Sequence, residues 1–116
     1  MGSPLSHEVA SVVAVLLASR FRIGSVKQVA HVLQCHPTTL QRRLMAHARV
    51  EPALVIDRCK ALATRSLLVD TDLSIRAIAE QMGFASSRSL NELLVRTLGV
   101  GASATRRHTT TGHYSL

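Results

Sequence analysis

The fold of this chain is decided by the stretch Leu73-Ser74-Ile75-Arg76-Ala77-Ile78-Ala79-Glu80-Gln81-Met82-Gly83-Phe84. Ser74 can cap the start of a helix, because its hydroxyl can accept a hydrogen bond from a backbone N–H that the helix leaves unpaired. Apolar residues follow at the spacing of one helix face: Ile75, Ile78 and Ala79. Gly83 tolerates backbone conformations that other residues avoid, so we predict that the helix ends there in a turn.

The same arrangement occurs a second time, 49 residues earlier in the chain. The repeated positions are Ala30, Gln34 and Leu40 in the first copy, and Ala79, Gly83 and Leu90 in the second. In a helix-turn-helix the small residue lets two helices cross closely, the residue four positions later enters the turn, and the apolar residue anchors the second helix. The anchor follows the alanine by ten residues in the first copy and by eleven in the second, which predicts one extra residue in the second turn.

Three further helix signals precede the first of these turns or follow it closely. Apolar residues at i, i+3, i+4, i+7 and i+8 predict a helix that buries Val9, Val12, Val13, Leu16 and Leu17. Ser6 is the predicted N-cap of that helix. Ser25 and Gln28 have the spacing of a capping box, which predicts a helix from Val26. Pro37 suits the first turn of the next helix, because a missing N–H needs no partner there.

Two longer helices are predicted in the rest of the chain. One runs from about Pro52 to Val69, and its predicted inward stripe is Val55, Cys59, Leu62 and Val69. The other runs from about Ser87 to Leu98 and is ended by Gly99. No segment alternates apolar and polar residues as a half-buried strand does, so the predicted fold is all-α.

The composition favours a globular chain with a polyanionic partner. The 116 residues suffice for one domain of ordinary size, and 47% of them are apolar. Lys and Arg number 14 against 7 Asp and Glu, and 12 of the basic residues are Arg, which suits phosphates and guanine edges. The net charge of +7 is divided as +5, −1 and +3 over residues 1–49, 50–85 and 86–116, so it concentrates in two parts of the chain.

The composition also argues against several classes of protein. Aromatic residues make up 3%, too few for a single-strand binder that stacks bases on aromatic platforms. The longest uncharged stretch near the start, residues 9–19, is shorter than the roughly 20 residues that span a bilayer, so no membrane partner is predicted. Two cysteines cannot form a disulfide framework and fit a reducing cytosol.

No catalytic, cofactor or metal site is predicted. His31, Cys35 and His36 lie close in sequence, but their spacings do not make a closed tetrahedral ligand set. The chain has no Gly-rich phosphate loop, no paired carboxylates and no nucleophile elbow.

These residues together resemble the DNA-binding domain of the AraC/XylS family of bacterial transcription regulators. The resemblance rests on the Ser-Ile, Ile-Ala and Gly-Phe pairs within residues 73–84, and on Thr38-Thr39-Leu40-Gln41-Arg42-Arg43-Leu44, which is similar to a first recognition helix. Gly99-Val100-Gly101-Ala102 stands where the family has Gly-x-Ser-Pro, so Ala replaces Pro. Arg106 stands where the family usually has an aromatic-Arg pair; we interpret Arg106 and Arg107 as solvated. The resemblance covers about residues 6–107.

The resemblance implies an all-α, homeodomain-like fold of about seven helices, with two helix-turn-helix units and a rigid linking helix. It divides residues 6–107 into a first unit (6–50), the linking helix (51–71) and a second unit (72–107). Outside it, we interpret residues 1–5 as a leader or cloning remnant and the Thr- and Gly-rich residues 108–116 as a disordered tail. In the family, the linking helix holds both recognition helices on one face of the DNA, in successive major-groove segments about 34 Å apart.

The resemblance further implies sequence-specific binding of promoter or operator DNA in the bacterial cytoplasm, in association with the nucleoid. RNA polymerase is a further partner by family analogy, and no effector is expected to bind this segment. The implied DNA-binding residues are Thr38, Thr39, Gln41, Arg42 and Arg43 in the first unit, and Ser86, Ser87, Arg88, Ser89 and Asn91 in the second. Side-chain chemistry agrees, because Gln can pair with adenine and Arg with O6 and N7 of guanine.

One departure from the family leaves two alternatives open. Glu92 stands where the family commonly has Arg, and a carboxylate that faces phosphates would be repelled, although it could accept a hydrogen bond from cytosine N4. The first alternative is a helical module whose second unit binds protein. The second alternative is a sequence-neutral DNA binder with a weakened second unit.

Overall fold

Seven helices form within residues 7–107, the part of the chain that the computed structural model describes, and no strand forms there. The helices are α1 His7–Ala18, α2 Val26–Val32, α3 Pro37–Ala48, α4 Pro52–Asp70, α5 Ile75–Gln81, α6 Ser87–Leu98 and α7 at residues 102–107. They belong to two compact units, divided within α4 between Cys59 and Lys60. The predicted all-α fold, with two helix-turn-helix units joined in the chain by a long helix, is confirmed.

Three of the predicted features lie outside the described residues: the leader at 1–5, the N-cap Ser6 and the tail at 108–116. Between residues 7 and 107, no helix is both long enough and apolar enough to cross a membrane.

Serine caps determine where α2, α5 and α6 begin. In each case a serine Oγ accepts a hydrogen bond from the backbone N–H three residues later, a donor that the helix itself leaves unpaired. The pairs are Ser25 with Gln28 at 3.1 Å, Ser74 with Ala77 at 3.0 Å, and Ser86 with Ser89 at 3.1 Å. Gln28 Oε1 accepts from the N–H of Gly24 at 3.1 Å, one residue further back than a capping box predicts.

The two helix-turn-helix turns share one backbone geometry. In each, the residue at the predicted turn position adopts the left-handed conformation, with φ +58° at Gln34 and +80° at Gly83. The N–H of the next residue then returns to the carbonyl of the buried alanine: Cys35 N to Ala30 O at 3.0 Å, and Phe84 N to Ala79 O at 2.8 Å. This hydrogen bond belongs to the Schellman motif, which ends a helix by pairing carbonyls that would otherwise have no donor.

The second turn is longer than the first by one residue. Gln34 is followed by one residue before the N-cap His36, whereas Gly83 is followed by two before the N-cap Ser86. The predicted insertion is therefore located between the left-handed residue and the N-cap of the second helix.

The first unit packs α1, α2, α3 and the beginning of α4 around one core. The buried residues of this hydrophobic core are Val12, Leu16, Val29, Ala30, Leu40, Leu44, Val55 and Ile56. The predicted burial of Leu17 is wrong, because its side chain is 61% exposed. Successive helix residues differ by about 100°, so Leu17 points away from the face that Val12 and Leu16 bury. Val9 and Val13 flank this face and are partly buried.

The second unit buries residues from the second half of α4, from α5 and its C-cap residue, and from α6 and α7. They are Ala61, Thr64, Leu68, Ile78, Ala79, Met82, Leu90, Leu93, Leu94, Ala102 and Thr105. The predicted stripe along the long helix is wrong beyond its first half, because Leu62 is 54% and Val69 is 40% exposed. A single stripe does not run the length of α4, since each half packs within a different unit.

The turn geometry predicts opposite effects for two reciprocal substitutions. A residue with a Cβ pays about 1–2 kcal/mol for the left-handed conformation, which glycine adopts freely. We therefore expect Gly83→Gln to lower the free energy of unfolding by about 1 kcal/mol and Gln34→Gly to raise it slightly, by up to about 1 kcal/mol. Urea denaturation followed by circular dichroism measures both. A shift of both variants in the same direction would contradict this explanation.

The buried hydroxyl of Thr64 predicts a stabilising substitution. Thr64 is fully buried, and its Oγ1 has no hydrogen-bond partner among residues 7–107. Valine has nearly the same shape and removes the unpaired polar atom, so Thr64→Val should raise the free energy of unfolding by about 1 kcal/mol. Thr105→Val is the matched control, because Thr105 Oγ1 donates to the carbonyl of Gly101 at 2.7 Å. The control should be destabilised; equal shifts in the melting temperature of the two variants would count against the argument.

Candidate nucleic-acid interface

The N-terminal part of α3 presents a polar face to solvent. Thr38, Gln41 and Arg42 are exposed and lie at the spacing i, i+3, i+4, which places them on one side of the helix. Leu40 and Leu44 are buried on the opposite side. The three polar side chains therefore point away from the core of the first unit.

Thr39 and Arg43 occupy the edge of this polar face. Thr39 is half-buried, and Arg43 lines a crevice beside His7 and Glu8 at the start of α1. Both lie further around the helix than Arg42, so the structure separates the five predicted residues of α3 into a central group of three and a flank of two.

His36 caps the start of α3. Its Nδ1 accepts a hydrogen bond from the backbone N–H of Thr38 at 3.1 Å, so this nitrogen carries no proton in the capped form. That N–H is thereby unavailable to an external phosphate.

Gln41 has a carboxylate neighbour. Its Nε2 donates to Oε2 of Glu51 at 3.4 Å, and Glu51 lies directly before α4. The contact aims the Nε2 side of the amide at Glu51 and leaves a second Nε2 hydrogen and Oε1 available, which are the donor and acceptor that adenine needs.

Most polar groups at the start of α6 bond within the protein. Ser86 caps the helix, and its Oγ lies 3.2 Å from the Oγ of Ser89. Ser87 is half-buried. Arg88 is exposed, and its Nε donates to Oε2 of Glu92 at 3.3 Å.

Asn91 holds the start of α7. Its Oδ1 accepts a hydrogen bond from the backbone N–H of Ala102 at 2.9 Å, and a Cβ at Gly101 would overlap this same oxygen. At the start of α7, Gly101 has no side chain to cap the helix, and Ala102 has an N–H that needs a partner. Asn91 supplies that partner from α6, so its side-chain oxygen is engaged inside the second unit.

Arg106 has a structural role that the interpretation as a solvated residue missed. Its Nε donates to the carbonyl of Leu68 at 2.9 Å, and its Nη2 donates to the carbonyls of Leu73 at 2.7 Å and Thr71 at 3.3 Å. A helix C-terminus has unpaired carbonyls and a partial negative charge, both of which attract a guanidinium. The abrupt end of the long helix at Asp70 was the available signal, because those carbonyls needed a donor from elsewhere.

The cysteine and histidine residues near α2 are not grouped as metal ligands. His31, Cys35 and His36 line one open groove of about 980 Å³, and no group of three His, Cys, Asp or Glu residues in the described part of the chain is placed to hold a metal ion. Burial raises the pKa of the Cys59 thiol, which favours its protonated and less reactive form.

Comparisons with known proteins agree with this geometry. Residues 29–108 match the model of a family described as a helix-turn-helix domain, of the AraC type. One similar solved structure is that of the DNA-binding domain of AdpA, a global transcriptional factor, in complex with a target DNA. That domain is 26% identical to this chain, with a TM-score of 0.75, and the match covers 89% of this chain and 93% of that chain. A search of curated protein sequences finds no significant match.

Two further solved structures are similar. The transcriptional regulator CdpR from Pseudomonas aeruginosa is 29% identical, with a TM-score of 0.77 over 86% of this chain and 31% of that chain. A DNA-binding transcriptional dual regulator from Escherichia coli K-12 is 14% identical, with a TM-score of 0.80 over 96% of this chain and 99% of that chain; at this identity the likeness shows the fold alone. Because the family model covers more than half of the 116 residues, this chain belongs to the AraC-type family of helix-turn-helix domains, which bind DNA sequence-specifically to regulate transcription.

Proposed function

We propose that α3 enters the major groove of duplex DNA and that Gln41 and Arg42 read base edges there. The observation that carries this proposal is the exposed face of Thr38, Gln41 and Arg42, which points away from the core of the first unit. In helix-turn-helix proteins the N-terminal residues of the second helix contact the bases. The two side chains have the chemistry for adenine and guanine respectively, with Thr38 beside them.

The flanking residues of α3 suit contacts that set position. Arg43, at the edge of the polar face, is within the reach of a phosphate and would fix the register of α3 without reading sequence. Thr39 is half-buried, which suits a short contact from its hydroxyl to the DNA backbone.

In the second unit we assign base reading to Arg88. The hydroxyls of Ser86 and Ser89 and the side-chain oxygen of Asn91 are engaged within the protein, so these three residues shape the start of α6 and of α7. Ser87, at the first position of α6, remains suited to a phosphate contact. This division leaves fewer base readers in the second unit than in the first.

We further propose the setting in which this binding acts. Residues 6–50 and 72–107 would be the two DNA-binding units, and residues 51–71 the link between them. Binding at a promoter would recruit or hinder RNA polymerase, in the bacterial cytoplasm and in association with the nucleoid. Family analogy supports these points. The spacing of two motifs in duplexes selected from a random library would measure how the two units divide the site.

Arg42→Ala should weaken binding selectively. Loss of a bidentate contact to guanine costs about 1–3 kcal/mol on the cognate duplex and much less on a scrambled one. Fluorescence anisotropy with the selected duplex and a scrambled duplex, at physiological ionic strength, measures both affinities. Arg76→Ala is the matched control, because Arg76 is an exposed arginine on α5 and not on a recognition helix.

The outcomes separate the proposal from its alternatives. Equal weakening of both duplexes by Arg42→Ala would indicate a sequence-neutral DNA binder, since a phosphate contact lowers every affinity alike. Equal binding of the selected and scrambled duplexes by the unmodified protein would overturn base reading altogether and favour a protein-interaction module.

Asn91→Ala should lower stability and leave base preference unchanged. Removal of the cap on Ala102 is expected to lower the free energy of unfolding by about 1 kcal/mol. The ratio of affinities for the selected and scrambled duplexes, measured well below the melting temperature, should match that of the unmodified protein. A variant of normal stability with a lower ratio would instead place Asn91 on the bases.

A further inference from the structure

The second unit contains two exposed Arg–Glu pairs of the same i, i+4 spacing. Arg88 and Glu92 lie on α6, with Nε and Oε2 3.3 Å apart; Arg76 and Glu80 lie on α5, with the same atoms 4.0 Å apart. Only the α6 pair is close enough to form a hydrogen bond. Exposed pairs of this kind add little to stability.

The contact uses one edge of the Arg88 guanidinium. Nε donates to the carboxylate of Glu92. The four N–H groups of the two terminal nitrogens take no part in this hydrogen bond. Two terminal N–H groups in one plane match O6 and N7 of guanine. The carboxylate therefore occupies the edge that this mode of guanine recognition does not need.

The position of the pair on α6 suits this use. Arg88 is the second residue of the helix, in the turn that enters the groove in helix-turn-helix proteins. Long side chains on a helix lean toward its N-terminus. The side chain of Glu92, one turn C-terminal to Arg88, therefore leans toward Arg88. Arg88 is 88% exposed, so without this contact its side chain would lose more conformational freedom on binding DNA.

We propose that Glu92 is a positioning residue that orients Arg88 to read a guanine in the part of the site bound by α6. The inference rests on the proposed function of α6. Pairing with Arg88 also neutralises the carboxylate, which removes most of the repulsion that an unpaired Glu92 would experience from phosphates. Glu92, which stands where the family commonly has Arg, then contributes to selectivity.

The test is a double-mutant cycle on base preference. Arg88→Ala, Glu92→Gln and the double variant are compared on three duplexes: the selected site, the same site with the guanine contacted by α6 changed to 7-deazaguanine, which lacks N7, and a scrambled duplex. We expect Glu92→Gln to lower the preference for guanine over 7-deazaguanine by about three- to tenfold. Its affinity for the scrambled duplex should stay equal or rise, because a negative charge is lost.

The cycle and its control decide between a positioning role and other roles. In the Arg88→Ala background, Glu92→Gln should have no further effect on the preference for guanine. Glu80→Gln, which alters the matched pair on α5, should leave the preference unchanged. Circular dichroism of each variant confirms that it is folded.

Four outcomes would overturn the inference. Glu92→Gln that strengthens all three duplexes by one factor, with unchanged preference, would make Glu92 a repulsive charge only. A loss of preference that persists without Arg88 would indicate direct contact of Glu92 with a base. Selection that yields a motif for α3 and no base preference for α6 would overturn it while leaving the proposed function of α3 intact; selection without any motif would overturn both.

Discussion

In each helix-turn-helix, one backbone hydrogen bond determines the direction in which the second helix leaves the turn. These two bonds join the carbonyls of Ala30 and Ala79 to the N–H groups of Cys35 and Phe84, and each requires a left-handed residue directly before the donor. The alanines are buried, so their small side chains allow the close approach of the helices that the turn demands. The exposed polar face of α3 and the Arg88–Glu92 pair of α6 depend on these turns for their placement.

The parts of the fold that depend on local chemistry could be predicted from the sequence. Ser25 and Ser74 were recognisable as caps, and Gly99 as a stop, because a cap or a left-handed terminus involves residues within a few positions of each other. The burial of Leu17 and of Leu62 was predicted wrongly, because helical periodicity identifies an apolar stripe but not how much of it a neighbouring helix covers. Leucine at such a position packs or stays exposed according to residues far away in the chain.

For the polar residues of the candidate site, prediction from the sequence meets the same limit. Residue type and resemblance indicated ten side chains with hydrogen-bonding capacity, and the sequence could not show which of these groups the protein uses itself. Ser86, Ser89 and Asn91 bond internally because a helix start has unpaired N–H groups that compete with any ligand for nearby acceptors. The guanidinium groups of Arg42 and Arg88 have no acceptor atom, so they cannot cap the unpaired N–H groups of a helix start.

The contact of Arg106 ties α7 to the rest of the second unit. One guanidinium joins α7 to the end of α4 and to the residue before Ser74, across 38, 35 and 33 positions of the chain. It thus links α7 by hydrogen bonds to the segment that leads into α5. A shortened version of the domain that stops before this arginine would expose three backbone carbonyls together, whereas one that retains it keeps the entry to the second helix-turn-helix anchored. A shortened version of the second unit that keeps these three hydrogen bonds therefore extends at least through residue 106, eight residues beyond the end of α6 at Leu98.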